Sequence, residues 1–342
     1  MKTMCYLGCL LVGLLLGCSD DSQPPESQSS DGLKVRTLLV EKIGSRSALG
    51  YGSVDMVANP EIIDKGVIWS KTPGATIDSP TRTSGPPGTG TYSSVLGVLE
   101  PGTKYYFKAY AWNGVDLVYG DELTFTTTDL AMFTPGIGVE DADGNKYETV
   151  ILENKEWMAE NLRTSKFSNG DDIPNAQVNN ISWQSFTTPA WGHYNNLSQL
   201  DAVQGKLYNW YAVSDTRNVC PAGWHVPAVS EWNELIEFLG GKWLAPVRMM
   251  TPAPTWIVPP IATNESGFSA IHGGICTGWC NDFYGGAFWW SATPDDTNSL
   301  PIPWDPQTVP KAHYIGVGPG NGPVWKSQFP YMAGMSIRCV KD

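Results

Sequence analysis

Apolar residues recur along this chain with two different periods, and the helical period is clearest just after residue 228. Four apolar residues there stand at positions i, i+3, i+4 and i+7 and therefore share one helical face. They are Trp232, Leu235, Ile236 and Leu239. Gly240 and Gly241 follow them and predict a left-handed end for the helix. Ala228 and Val229 precede it without an N-cap side chain, so we expect the helix to start at Ser230.

From residue 33 to residue 128 the pattern is all-β. Strands are expected at 35–40, 48–57, 66–70 and 105–111, with a closing hairpin at 119–127. The Pro/Gly/Ser/Thr-rich stretch 72–91 predicts a long surface loop. A Pro-Gly turn precedes the fourth strand, so Tyr105 stands where a tyrosine corner would.

After a brief linker, residues 136–342 combine short strand patterns with two short helical patterns, which favours an α+β domain rich in loops. Polar or Pro/Gly-rich stretches at 175–204, 276–286 and 294–330 predict its long loops. The fold class expected for the whole chain is therefore multidomain, with an all-β sandwich followed by an α+β domain.

The amino-acid composition agrees with this division into two domains and limits which classes of molecule the protein could bind. With 342 residues the chain is long enough for two domains, and its 36 Gly, 26 Pro and 15 Trp suit loop-rich β modules with aromatic cores. A net charge of -12 argues against nucleic acid as a partner, because phosphate binding needs a basic face.

The N-terminus carries a targeting segment. An apolar run over residues 6–16 follows Lys2 and is too short to span a bilayer, which takes about twenty residues. It ends in Leu-Leu-Gly-Cys at Cys18, which resembles the bacterial lipobox; the alternative is an ordinary secretory signal with a stray cysteine. The resemblance implies a signal peptide at 1–17, a lipid on Cys18 that anchors the protein to a membrane, and a flexible tether at 18–32.

The residues after Cys18 also bear on location. Ser19, Asp20 and Asp21 resemble the acidic signal that sends Bacteroidetes lipoproteins to the cell exterior. We therefore expect an outer-membrane protein exposed on the cell surface.

Seven cysteines divide into two groups. Three of them, Cys5, Cys9 and Cys18, belong to the signal or its lipid site. The other four are an even set in an exported chain, which indicates disulfides: Cys220, Cys276, Cys280 and Cys339. The alternative for Cys276 and Cys280 is a pair of reduced thiols that bind copper or act on a substrate, but no neighbouring base presents itself.

Two family resemblances follow from ordered motifs. Residues 33–128, with the Pro-Gly turn and Tyr105, resemble a fibronectin type III sandwich, whose usual role is that of a spacer; ligand binding is the alternative. The motifs DGNKY, EWMAENLR, GKLYNWYAV, CPAGWHVP, SEWNEL, NESGFSA, WWSAT and SIRCV match the Fibrobacter succinogenes major paralogous domain in the expected order. That resemblance assigns residues 136–342 to one domain of this family.

The same motif order also resembles the C-type-lectin-like fold, which includes the formylglycine-generating enzymes. It implies a small twisted sheet flanked by two helices, with much of the chain in loops. It further implies that Cys220 pairs with Cys339, which leaves Cys276 and Cys280 to form a local bridge.

Candidate ligand-binding residues are few. Tryptophans outside the motifs could form an exposed face for a sugar or a protein, or else pack beneath their own loops: Trp183, Trp191, Trp279, Trp304 and Trp325. The motif tryptophans are expected in the core: Trp157, Trp224, Trp232, Trp289 and Trp290.

Metal and cofactor signals are weak. Asp141, Asp143 and Asn145 have the alternate spacing of calcium ligands, but Leu152 stands where an EF-hand has its glutamate, so a plain turn is preferred. Four histidines are scattered singly along the chain and lack the spacing of a zinc site: His193, His225, His272 and His313. No cofactor fingerprint occurs, so we expect no cofactor.

The functional expectation is a non-catalytic surface protein that binds an extracellular glycan or protein, or assembles into a surface structure such as a fimbrial tip. The loops at 175–204, 276–286 and 294–330 would carry the binding. An enzyme that acts on polysaccharide or on exported protein is one alternative, and a purely structural envelope component is another.

Overall fold

The structure is a computed structural model. Its sheets fall into two groups, one in the N-terminal part of the chain and one in the C-terminal part, and we call these the first and the second module. The structure describes residues 32–56, 61–177, 183, 186–252, 261–277, 285–295, 309–318 and 322–342. The predicted signal peptide, Cys18 and the tether up to residue 31 lie outside the described residues. Strand accounts for 38% of the described structure and helix for 11%, so the structure as a whole is mostly β-sheet.

Among its described residues, the first module has seven strands. They are β1 (Leu33–Glu41), β2 (Ala48–Met56), β3 (Asp64–Ser70), β4 (Gly90–Leu96), β5 (Lys104–Trp112), β6 (Leu117–Tyr119) and β7 (Leu123–Thr126). One sheet has the order β1-β2-β4; in the other, β5 pairs with β3 on one side and with β6 and β7 on the other. All these pairs are antiparallel.

Apolar side chains from both sheets meet in the core of this sandwich. Val67, Trp69, Leu96 and Phe107 are buried there. Tyr105 forms the predicted corner, since its hydroxyl accepts a hydrogen bond from the Glu100 amide at 3.0 Å. Strand β4 was not predicted, because its exposed residues are polar and continue the composition of the preceding loop.

The second module contains twelve short strands among the described residues. They are β8 (Thr134–Pro135), β9 (Val139–Glu140), β10 (Lys146–Tyr147), β11 (Thr149–Leu152), β12 (Lys155–Met158), β13 (Trp191–His193), β14 (Lys206–Tyr208), β15 (Trp224–His225), β16 (Ala287–Pro294), β17 (Lys311–Val317), β18 (Trp325–Pro330) and β19 (Val340–Lys341). The central sheet has the order β15-β19-β12-β11-β8, and a second sheet has the order β16-β17-β18. Two hairpin-like pairs, β9 with β10 and β13 with β14, stand apart from them.

The helices of this module are short. They are α1 (Asp201–Gln204), α2 (Trp210–Val213), α3 (Val229–Phe238) and α4 (Ala245–Met249), with single 3-10 turns at Tyr194–Asn196 and Ser198–Leu200. Within the described part of the chain, no helix has the length and apolar character needed to cross a bilayer.

Helix α3 presents its predicted apolar face to the core. Trp232 packs between Trp157 and Trp289, with ring centroids 5.1 and 5.8 Å away, and Phe268 closes the cluster at 5.5 Å from Trp289. Gly240 and Gly241 have φ of 99° and 87° and end the helix as predicted.

The start of α3 lies one residue earlier than predicted. It begins at Val229, and Ala228 occupies the N-cap position with extended backbone and no side-chain acceptor. The Ala228 amide instead donates to Glu231 Oε2 at 3.0 Å, so half of a capping box forms without a capping side chain.

A buried ion pair joins the two modules. Arg248 Nε donates to Glu265 Oε1 at 2.8 Å, and both side chains are almost fully buried. The other carboxylate oxygen of Glu265 accepts from Ser45 Oγ at 3.2 Å and from the Arg46 amide at 2.8 Å. Arg248 also donates to the carbonyl of Lys42. Because charges buried this deeply need all their partners, the β1–β2 turn of the first module is held against the second.

The uncapped N-terminus of α3 yields a stability prediction. Ala228→Ser supplies the missing acceptor for the first-turn amides and should raise the free energy of unfolding by about 1 kcal/mol. Chemical denaturation measures the change, with Ala228→Val as the matched control that adds bulk without an acceptor. Equal effects of the two substitutions would show that the cap is not limiting.

Candidate binding cleft

A cleft of about 1040 Å³ opens on the second module beside the segment that leads in from the first. It is bounded by that segment, the β9–β10 hairpin, the start of β11 and a turn at 264–269. Its lining residues are Phe133, Pro135, Gly136, Ile137, Gly138, Val139, Glu140, Lys146, Tyr147, Glu148, Thr149, Val150, Ala159, Glu160, Asn264, Gly267 and Ser269. Ile137 stands at the cleft with 89% of its surface exposed.

The 264–269 turn forms one wall and has an unusual backbone. Asn264 and Ser269 have φ of 47° and 55°, a region that residues other than glycine rarely adopt. They hold each other, because Asn264 Oδ1 accepts from the Ser269 amide at 2.8 Å and Asn264 Nδ2 donates to Ser269 Oγ at 3.0 Å. Gly267 between them allows the Phe133 ring to approach, since a Cβ there would stand 2.9 Å from it.

Arg338 anchors this turn from beneath. Its guanidinium is fully buried, donates to the carbonyl of Phe268, and reaches the carbonyl of Ser269 at 3.0 Å. Arg338 Nε donates to Asn161 Oδ1 at 2.8 Å, and the same oxygen accepts from the Trp289 indole at 2.9 Å. Burial lowers the pKa of Arg338 to about 9, so the group remains a cation at neutral pH.

The opposite wall is the β9–β10 hairpin, whose turn contains the calcium candidates. Asp141 Oδ1 accepts from the amides of Asp143 and Asn145 at 2.9 and 3.0 Å, and Oδ2 accepts from the Tyr147 hydroxyl at 2.5 Å. Asp143 accepts from Ser165 Oγ at 2.7 Å. Asx-turn bonds therefore occupy these oxygens in the hairpin turn.

Hydrogen bonds also account for the electrostatics of Asp143. Burial alone would raise its pKa, but hydrogen bonds from Ser165 and the nearby Lys166 ammonium together lower it. Among the described residues, no group of three or more His, Cys, Asp or Glu side chains is placed to hold a metal ion.

The cleft itself carries charged groups of both signs. Glu140, Glu148 and Lys146 are exposed at its rim, and Glu160 is half-buried. Glu160 accepts from the Glu148 amide at 3.3 Å and pairs with Arg163 at 3.5 Å. Carboxylates, an ammonium, an amide and hydroxyls beside apolar side chains suit the recognition of a polar ligand that also has apolar faces.

The tryptophans proposed as a binding face separate into three groups. Trp183 and Trp191 are buried, which agrees with the alternative that they pack beneath their own loops: Trp183 packs against Gly192 and Gly334, and the Trp191 indole donates to the Ile173 carbonyl at 2.8 Å. Trp325 is 38% exposed and stacks on Phe288 at 5.7 Å. Trp279 and Trp304 lie outside the described residues.

The motif tryptophans all lie in the core, as predicted: Trp157, Trp224, Trp232, Trp289 and Trp290.

The described cysteines of the second module are disulfide-bonded. Cys220 and Cys339 form a disulfide that closes a sequence separation of 119 residues, which is the pairing that the resemblance implied. Cys276 is also disulfide-bonded, and its predicted partner Cys280 lies outside the described residues. Cys276 is therefore not a free thiol.

The histidines are used locally. His193 Nδ1 lies 2.8 Å from Asp201 Oδ1, and His272 lies 3.4 Å from Gln204 Nε2. His225 connects two elements, because Nδ1 lies 2.6 Å from Asp342 Oδ1 and Nε2 lies 3.0 Å from Glu231 Oε2. Burial alone would lower the pKa of His225, but the hydrogen bonds to the two carboxylates outweigh it and raise the pKa.

Comparison with known proteins identifies the module that carries the cleft. The family model described as the Fibrobacter succinogenes major domain matches residues 150–341. The chain belongs to this family. The matched residues of the Fibrobacter succinogenes major domain include Arg338, Asn161 and the 264–269 turn, whereas part of the cleft, from Phe133 to Thr149, precedes them.

Similarity to solved structures is slight. A sensor domain of the anti-sigma factor RsgI4 in Pseudobacteroides cellulosolvens is 18% identical over 30% of this chain and 100% of that one, with a TM-score of 0.23. A fibronectin type III domain derived from human KIAA0970 protein is 20% identical over 30% of this chain and 77% of that one, with a TM-score of 0.22. Scores this low carry no argument about function. No curated protein matches the chain.

Sequence reasoning missed the cleft. It placed the binding surface on the loops at 175–204, 276–286 and 294–330, and the first of these contributes the buried Trp183 and Trp191 instead. The asparagine and glycine of the NESGFSA motif were the available signal, because both residues favour left-handed backbone.

Removal of the Arg338 guanidinium should destabilise the second module. Arg338→Met leaves the Phe268 and Ser269 carbonyls without their donor, and we expect a loss of about 3 kcal/mol in the free energy of unfolding. Chemical denaturation gives this value, with Arg36→Met as the control: Arg36 forms an exposed ion pair with Asp55, and its loss should cost about 0.5 kcal/mol. Similar losses in both variants would contradict the role assigned to Arg338.

His225 predicts a pH dependence. Because its pKa is raised in the folded state, its contribution to stability is complete below the ordinary histidine pKa of about 6.5 and is lost as pH rises through the folded-state value. The melting temperature should therefore contain a component that falls as pH rises above about 6.5 toward the raised folded-state pKa of His225. His225→Gln should remove that component and His313→Gln should retain it; a dependence that survives His225→Gln would assign it to another group.

Proposed function

We propose that this protein is a lipid-anchored, surface-exposed binding protein that does not catalyse a reaction. Its first module acts as a fibronectin type III-like spacer, and its second is an α+β, C-type-lectin-like domain that presents the cleft. The ligand is an extracellular glycan or protein, and binding serves adhesion or assembly into a surface structure.

One observation carries the non-catalytic part of the proposal. The buried polar side chains Asn161, Glu265 and Arg338 of the family motifs are engaged in the fold: Asn161 and Arg338 hold the 268–269 carbonyls and Trp289, and Glu265 holds the first module. Two hydroxyls that line the cleft hydrogen-bond to carboxylates, Tyr147 to Asp141 at 2.5 Å and Thr149 to Glu156 at 2.6 Å, but both side chains are buried. The groups that remain available in the cleft suit binding.

Glycan recognition fits the chemistry of the cleft walls. Sugar hydroxyls donate to carboxylates such as Glu140 and Glu148 and accept from Lys146, while their C–H faces pack on apolar groups such as Ile137 and Phe133. The cleft volume of about 1040 Å³ is at the upper end of the range of ligand pockets.

A rim substitution tests whether the cleft binds. The chain from residue 19 onward is applied to an array of purified glycans and extracellular-matrix proteins, and positive probes are titrated. Ile137→Arg places a long cation at the cleft and should weaken binding at least about tenfold, or about 1.4 kcal/mol. Val203→Arg makes the same change at an exposed position of α1, which does not line the cleft, and should bind as the unmodified chain does.

The outcomes separate the proposed functions. Binding that both variants retain would place the ligand elsewhere on the chain. Chain-length or mass changes in the probes would support the enzyme that acts on polysaccharide or on exported protein. An array without any positive probe would favour a structural envelope component.

The lipid anchor is tested by cell fractionation. Mass spectrometry of the N-terminal peptide should find acyl chains on Cys18, because two chains give stable membrane anchoring. Cys18→Ser should leave the protein unacylated and absent from the membrane fraction, and protease shaving of intact cells reports whether the wild-type protein faces outward. A protein that stays in the membrane fraction after Cys18→Ser would contradict the anchor.

A further inference from the structure

Four apolar side chains lie exposed together at one end of the first sandwich, and we call them the apolar tip: Ile63, Trp112, Val115 and Leu117. Val115 is 85% exposed and Trp112 is 40% exposed, although both belong to the ordered sheet or its turn. The Ile63 amide donates to the Trp112 carbonyl at 2.9 Å, and Trp112 pairs with Leu117 across the β5–β6 hairpin. The four residues therefore lie at the same end of the sandwich.

The turn that displays Val115 is held in place. Asn113 is buried, and its Oδ1 accepts from the amides of Val115 and Asp116 at 2.9 and 2.7 Å. The Asn113 amide also donates to the Asp116 carbonyl at 3.2 Å. Because these bonds fix the backbone on both sides of Val115, its exposure does not depend on a loose loop.

The tip shares its end of the sandwich with the chain's entry point. Leu33, the first residue of β1, pairs with Met56 at the end of β2, and the chain from there leads to Ile63 and β3. The opposite end carries the β1–β2 turn, whose Ser45 and Arg46 contact Glu265 of the second module. The tip therefore faces away from the second module and toward whatever holds the N-terminus.

We propose that the apolar tip rests in the headgroup region of the membrane that carries the lipid on Cys18. This inference rests on the lipid anchor proposed above. The predicted tether from Cys18 to Leu33 spans about 15 residues, and a random coil of that length has a root-mean-square span of about 20 Å, which would keep this end of the sandwich close to the bilayer. Tryptophan and branched aliphatic side chains on a rigid turn suit the interfacial region, where an indole finds both apolar and polar surroundings.

The charged groups around the tip indicate which kind of membrane surface it contacts. Glu61 and Asp116 flank it, whereas Asp64 at its edge pairs with Arg82 at 3.4 Å and accepts hydrogen bonds from Ser84 at 2.6 Å and Tyr110 at 2.8 Å. Carboxylates beside the tip oppose an anionic surface, so the contact should favour zwitterionic headgroups and depend little on salt.

A tethered-vesicle experiment tests the contact independently of acylation. The chain from residue 19 onward receives an N-terminal hexahistidine tag and is held on phosphatidylcholine vesicles by a nickel-chelating lipid. A fluorophore is attached at Val115→Cys or, as the matched control, at Val98→Cys, which is 73% exposed near the opposite end. Headgroup spin-labelled lipid then quenches fluorophores that reach the interface.

Quenching should be at least about threefold stronger at position 115 than at position 98, because only the tip enters the headgroup layer. The double substitution Trp112→Ser and Leu117→Ser should reduce quenching at 115 to the control level. Equal quenching at 115 and 98, or quenching that appears only with anionic lipid and disappears in salt, would overturn the proposal. Equal quenching with a concentration-dependent dimer in sedimentation would also overturn it and assign the tip to a second copy of the chain. Because the tag replaces the lipid, these outcomes stand apart from the acylation of Cys18.

Discussion

The guanidinium of Arg338 determines how much of the second module is arranged, because a buried cation must find acceptors inside the protein. It finds them in the carbonyls of Phe268 and Ser269 and in the side chain of Asn161, which in turn orients Trp289. One side chain near the end of the chain thus fixes a turn some seventy residues earlier. The aromatic cluster around Trp232 then packs against a framework that is already defined by hydrogen bonds.

The six residues of the 264–269 turn contact three different parts of the protein: the first module, the core and the cleft. Glu265 reaches the first module, Phe268 enters the core, and Asn264 and Ser269 line the cleft. Positive φ at Asn264 and Ser269 allows neighbouring side chains to point in such different directions. The cleft wall and the joint between modules are therefore parts of one element, and neither can shift without the other.

The parts of this fold that depend on local pattern could be predicted from the sequence. Helix α3 follows from the spacing of four apolar residues, and the corner at Tyr105 follows from a turn and its distance to the next strand. The Asp141 turn was predictable for the same reason, since an aspartate side chain bonds amides two and four residues ahead.

The rest depends on contacts between distant segments, which local pattern does not report. Trp183 and Trp191 lie in a polar stretch and were considered for an exposed face. In the structure Trp183 packs where Gly334 has no side chain, and the Trp191 indole donates to the carbonyl of Ile173, so both rings are buried. The cleft was missed because its walls come from a linker, a hairpin and a distant turn, each unremarkable by itself. The ion pair of Arg248 with Glu265 was not anticipated either, since nothing near either residue signals a partner in another module.

The joint at Glu265 also sets the path of mechanical load. A pull between a membrane anchor at the N-terminus and a ligand held in the cleft would travel along the first sandwich and reach the second module through the β1–β2 turn and through the linker into β8. The disulfide between Cys220 and Cys339 closes a loop that contains the 264–269 wall, so that wall resists extension covalently. The facing wall at 133–150 lies outside the loop and is held by hydrogen bonds and apolar packing without a covalent cross-link in the described structure. Under tension the cleft would therefore yield first on the side nearer the anchor.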